Sequence, residues 1–159
     1  MTTLTETTQL TDTNSIDKEI TLRAPRTRVW RALTDAQEFG AWFGITIDGT
    51  FKAGQPVHGR MNNPKYAHLD FEFVVETIAP EDLFSYRWHP YALDAAVDYS
   101  KEQMTLVEFH LSDVPDGTKL RVIESGFDHI PAGRRAEALL MNGKGWAAQF
   151  ENIRRHVEK

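Results

Sequence analysis

In the segment LRVIES, Leu120, Val122 and Glu124 fall two residues apart. An extended chain puts all three side chains on one face and turns Lys119 and Arg121 to the other. A carboxylate on an aliphatic face must be hydrogen-bonded, paired or protonated. From there it can anchor a polar group of a ligand or serve as a general acid/base. The competing arrangement has Gly126 marking a bulge, so that the alternation slips and Glu124 meets water.

The second chemical feature is aromatic. The chain carries nine Phe, four Tyr and four Trp. Phe84, Tyr86 and Trp88 repeat at strand spacing, and Phe71 and Phe73 do so in a neighbouring segment. Such a face either fills a core or walls an apolar pocket with two polar handles, the phenol and the indole N–H. Trp42, Phe43 and Phe109 add to it, and Trp146 lies in a helical seam that also holds Gly143. Each glycine inside a helix costs about 0.8–1.0 kcal/mol relative to alanine. Gly143 and Gly145 beside Trp146 therefore mark either close packing or space kept for a ligand. The candidate ligand-binding set is Trp42, Phe43, Phe71, Phe73, Tyr86, Trp88, Phe109, Glu124, Gly143 and Trp146, with Glu124 the one catalytic candidate.

Other chemistries find little support. The six histidines are scattered, with no pair at helical spacing, and His68 and Asp70 lack a third ligand nearby, so no metal is expected. Ser112 and Ser125 have no nucleophile-elbow context, and no phosphate loop or cofactor motif occurs. There is no cysteine, which excludes disulfides, zinc-thiolate sites and thiol catalysis. A net charge of −5 argues against nucleic acid as the partner. No apolar run reaches the 18 or so residues of a membrane span.

These residues need elements to position them. Ile16 to Leu22 alternates as a strand. Pro25 opens a helix carrying Val29, Ala32, Leu33 and Ala36, and a second short helix runs from Ala36 to Phe43 and ends at Gly44. Five further strands are expected at Val57–Met61, His68–Ile78, Leu83–His89, Met104–Leu111 and Thr118–Phe127, with Asp116-Gly117 turning the last pair. The connection from Pro90 to Lys101 either covers a pocket mouth or packs on the surface. Leu139, Gly143, Trp146, Phe150, Ile153 and Val157 form one seam of a long terminal helix over about 132–157, with Arg134 and Arg135 on its solvated side.

The first fifteen residues hold seven threonines and little apolar surface, without signal-peptide character. They are read as a disordered tail, residues 16–159 as a single domain, and the cytoplasm as the compartment. The layout is α+β, a helix on one face of a curved antiparallel sheet.

The segments APRTRVWRALTD (24–35), FGAWFG (39–44), GTKLRVIESGF (117–127) and NGKGWAAQFENIRRHVEK (142–159) resemble the Hsp90-ATPase-activator-homologue group of the START/Bet v 1-like superfamily. The resemblance covers nearly everything after Ile16. It implies a helix-grip fold: a curved sheet gripping the terminal helix, two short helices closing one end, and a cavity between. The leading functional expectation is a cytoplasmic binding protein for a small, largely apolar molecule, aromatic or lipid-like, acting as a monomer or homodimer without cofactor. A cyclase- or hydrolase-like enzyme using Glu124 as acid/base in the same cavity comes second, and an Hsp90-type chaperone cofactor module third.

Overall fold

The computed structural model describes residues 14–92 and 96–158. Strand β1 (Ser15–Leu22) is followed by helices α1 (Arg26–Thr34) and α2 (Ala36–Phe43). Six more strands follow: β2 (Ile45–Asp48), β3 (Pro56–Met61), β4 (Asp70–Ala79), β5 (Leu83–Trp88), β6 (Thr105–Val114) and β7 (Gly117–Ser125). The chain ends in the long helix α3 (Ala132–Val157). All seven strands join one antiparallel sheet in the order β1-β7-β6-β5-β4-β3-β2. This is the helix-grip architecture the resemblance implies.

The first strand starts slightly earlier than the expected boundary at Ile16. Ser15 pairs with Ser125, and the Asn14 carbonyl accepts from the Gly126 and Phe127 amides. Residues 1–13 of the expected tail lie outside the described residues.

The short helices owe their bounds to local chemistry. Pro25 precedes α1, where its missing N–H costs nothing. Asp35 caps α2 by accepting from the Gln37 and Glu38 amides at 3.0 Å. Gly44, at φ 97°, ends α2 in the left-handed conformation. From that turn the chain enters β2, which sequence patterning does not reveal. Its four residues, ITID, are too few to establish a period, yet Ile45 and Ile47 both point into the core. The strand β4 begins at Asp70 rather than His68, because residues 62–69 are spent in turns. Strand β7 stops at Ser125, since Gly126 turns to φ 102° and starts the 3-10 turn Phe127–His129.

Phe39 on α2 is fully buried and lies at the centre of the core. Its ring meets Trp42, Phe43, Phe51, Phe73, Phe84, Tyr86 and Phe109 within 6.5 Å. The α2 helix therefore plugs one end of the curved sheet with aromatic surface, and α3 covers the rest through Ala138, Trp146, Phe150, Ile153 and Val157.

Glu38 ties the three helices together. It accepts from Arg28 Nη1 and Arg31 Nε at 2.7 Å each, and His156 Nε2 of α3 lies 2.9 Å away. Burial alone would raise the Glu38 carboxyl, but the bonds from His156, Arg28 and Arg31 outweigh it and hold the group below its ordinary value. Asp17 is lowered likewise, chiefly by its hydrogen bond from Arg121 on the neighbouring strand. A carboxylate lowered in the native state binds fewer protons than in the unfolded chain, so its stabilising contribution is present above the unfolded value and lost as pH falls through the folded one. Thermal midpoints measured across pH 2–7 are expected to be flat near neutrality and to fall below about pH 4.5. The Glu38→Gln variant should start lower and fall less steeply; a parallel acid limb would remove Glu38 from the account.

Candidate functional site

Period-two alternation persists to the end of β7, where Thr118, Leu120, Val122 and Glu124 are all buried. Glu124 thus faces the core and is 0% exposed. The register places Val107 opposite Glu124 and Thr105 opposite Trp88, so one end of the concave sheet face carries Trp88, Thr105 and Glu124 together. Facing them, Asn142 and Trp146 are one helical turn apart on α3.

The five side chains form one network. Glu124 Oε2 accepts from Thr105 Oγ1 at 2.6 Å and Trp88 Nε1 at 2.7 Å. Glu124 Oε1 accepts from Trp146 Nε1 and Asn142 Nδ2, both at 2.9 Å, and the amide also reaches Oε2 at 3.2 Å. Both indoles and the Asn amide nitrogen can only donate, which suits a carboxylate acting as acceptor alone. Among the described residues, no Lys, Arg or His forms an ion pair with it. Helix and sheet are thereby bolted together through neutral donors.

Above this network lies a cavity of about 610 Å³. Phe43, Phe71, Trp88 and Trp146 supply its aromatic wall, and ring centroids in this group lie 5.9–6.1 Å apart. Met141, Asn142, Gly145, Trp146 and Gln149 present one face of α3 to it. Tyr91, Ala92, Val97 and Tyr99, which belong to the connection after β5, also line it.

Arg134 pins this connection at both ends. Its guanidinium grips Glu102 through contacts of 2.6–3.1 Å, donates to the Pro90 and Tyr91 carbonyls at 3.1 and 3.4 Å, and sits 4.8 Å from the centre of the Tyr99 ring. The expected solvated Arg134 is thus a half-buried clamp. A flat five-donor group is what allows one side chain to hold two carbonyls and a carboxylate. Arg135 also turns back on the chain, to the carbonyls of Asp128 and Ile130.

Of the candidate residues, Phe43, Phe71, Trp88 and Trp146 line the cavity, and Glu124 lies beneath its wall without lining it. Phe73, Tyr86 and Phe109 belong to the core behind the wall, at most 1% exposed. Burial pushes the Tyr86 phenol well above its ordinary range, with the Glu124 charge adding to it. Trp42 serves the structure instead, because its indole donates to the Ala32 carbonyl at 2.8 Å and fastens α2 to α1. Gly143 does not open into the cavity. A Cβ there would look toward β1, with Lys18 Cε at 4.0 Å as its nearest neighbour. Gly145, one position off the apolar seam, lines the cavity instead, and a Cβ there would meet nothing within 4 Å.

Residues that patterning alone overlooked are Asn142, Thr105 and Arg134. Asn142 had a signal in its i,i+4 relation to Trp146, and Thr105 in its position across the ladder from Trp88. Arg134 had none, because its partners lie 32 to 44 residues away.

A family model described as "Activator of Hsp90 ATPase homolog 1-like protein" matches residues 23–158, most of the chain. The chain belongs to this family. The activator-homologue fold is shared with solved structures of low identity. Protein MLL2253 of Mesorhizobium loti superposes with a TM-score of 0.70 at 23% identity, covering 91% of this chain and 96% of that one. The Aha1 dimer of Colwellia psychrerythraea gives 0.68 at 18% identity, covering 91% and 96%. DynU16, from the dynemicin biosynthetic locus, gives 0.68 at 20% identity; 92% of this chain matches 48% of that one. No curated protein matches the sequence.

Proposed function

We propose that this activator-homologue domain is a binding protein for a small, largely apolar molecule seated between the sheet and α3. The observation that carries this reading is the cavity itself: about 610 Å³, of a size to enclose a small molecule, walled by four aromatic rings. The indole N–H groups of that wall are already satisfied by Glu124, so the rings offer apolar and π surface with no unmet hydrogen bond left in it. The same network weighs against Glu124 as a general acid/base. Both its oxygens are engaged by protein donors, and it stands behind the wall rather than in it.

Gly145 provides the test. The neutral probe N-phenyl-1-naphthylamine, whose emission rises in apolar surroundings, is expected to bind the wild type saturably. Gly145→Leu should project into open cavity, keep the fold and gain helix propensity worth up to about 1 kcal/mol. Its affinity for the probe should fall at least tenfold. A wild type without saturable emission, or a leucine variant that binds equally well, would overturn the reading.

A further inference from the structure

We infer that the cavity selects an organic cation, a molecule with an aromatic or alkyl body and a quaternary or protonated amine. This rests on the reading of the cavity as a small-molecule site and adds the sign of the charge it prefers.

Glu124 is a wholly buried carboxylate with no cationic partner among the described residues. Hydrogen bonds from four neutral donors satisfy its lone pairs and leave its charge uncompensated within the fold. Two of those donors are the indoles of Trp88 and Trp146, which are also cavity wall. An indole whose N–H is drawn toward an anion becomes richer in π-electron density, and the negative ring face is what attracts a cation. The buried charge is therefore relayed to the cavity through two aromatic rings whose centroids lie 5.9 Å apart. Phe43 and Phe71 extend the wall around them.

The remaining charges agree. Among the described lining residues there is no Lys or Arg. Asp70 and Glu72 alternate away from Phe71 to the other face of β4, where Glu72 lies 3.4 Å from His58, so neither adds a counter-charge inside the cavity. The nearby guanidinium, Arg134 beneath Tyr99, is matched by Glu102 at 2.6 Å and gives the cavity no free positive charge. An anionic ligand would enter with nothing to pair it. A cation would meet aromatic faces backed by a carboxylate.

Three probes that share a phenyl ring and a tetrahedral substituent separate charge from shape: phenyltrimethylammonium, its neutral isostere tert-butylbenzene, and benzenesulfonate. The readout is the indole N–H resonances of Trp88 and Trp146 in the full chain. The cation is expected to shift both at a concentration at least tenfold lower than tert-butylbenzene requires, with benzenesulfonate weakest. In Glu124→Gln the preference for the cation over its neutral isostere should shrink to less than threefold. Equal or tighter binding of the neutral or anionic probe overturns the inference and leaves the apolar-ligand reading standing. If none of the three moves either resonance, the inference also fails, and the naphthyl probe decides the wider reading separately. An undiminished cation preference in Glu124→Gln removes the carboxylate as its source; should that variant not fold, the wild-type series alone decides.

Discussion

Glu124→Leu is expected to cost about 3–5 kcal/mol of folding stability, a large share of what a domain this size possesses. The leucine is similar in size and removes a buried charge, which by itself is favourable. It also strips the acceptor from two indole N–H groups, an amide and a hydroxyl at once. Trp146 and Thr105 are buried, at 3% and 0% exposure, and each orphaned donor costs about 1–3 kcal/mol. Asn142 and Trp88 are half-buried and recover part of their loss by turning toward the cavity. Glu124→Gln keeps one carbonyl acceptor and should cost less than half as much. Urea denaturation of the three proteins measures the order directly. A leucine variant within about 1 kcal/mol of wild type would mean that the network contributes little to holding α3 on the sheet.

The second large effect lies at Gly40. A Cβ built there would overlap the carbonyl oxygen of Ile45, and Ile47 Cδ1 stands at 3.9 Å behind it. Gly40→Ala gains roughly 1 kcal/mol of helix propensity but forces α2 away from β2, against backbone that has no rotamer to yield. A net loss of about 2–3 kcal/mol is expected. Because α2 carries Phe43, whose ring closes the aromatic wall, probe affinity should fall together with stability. A variant as stable as wild type, with probe affinity intact, would show that the helix–strand approach has slack.

The elements set by strong local rules were legible in the sequence. The α3 seam, the proline and glycine limits of α1 and α2, and the inward alternation ending at Glu124 all rest on period and on residues with fixed backbone preferences. Strand β2 was not legible, because four residues cannot display a period and its definition is the pairing with β3. For the site, the aromatic types and the inward carboxylate could be read, but not which ring faces cavity and which faces core. Tyr86 and Trp88 share a strand face, yet Tyr86 stacks on Phe73 at 4.1 Å while Trp88 lies at the open end. Only the curvature of the sheet distinguishes them. The displacement of the lining role from Gly143 to Gly145 has the same cause: the cavity lies to one side of the helix seam, and periodicity locates the seam alone.

The shared carboxylate also constrains how this domain can change over evolutionary time. A polar network replaced as a whole by apolar groups of matching shape can be nearly neutral, whereas removing one partner leaves the others unsatisfied. Trp88, Thr105, Asn142 and Trp146 each lose their acceptor if Glu124 is substituted first. Substituting the donors first leaves a buried anion progressively less solvated. Every single-residue path away from the set therefore descends before it climbs, which makes the five positions strongly epistatic. Drift in ligand preference is accordingly easier through Phe43, Met61, Phe71 and Met141, whose apolar side chains line the cavity and strand no hydrogen-bond partner when replaced.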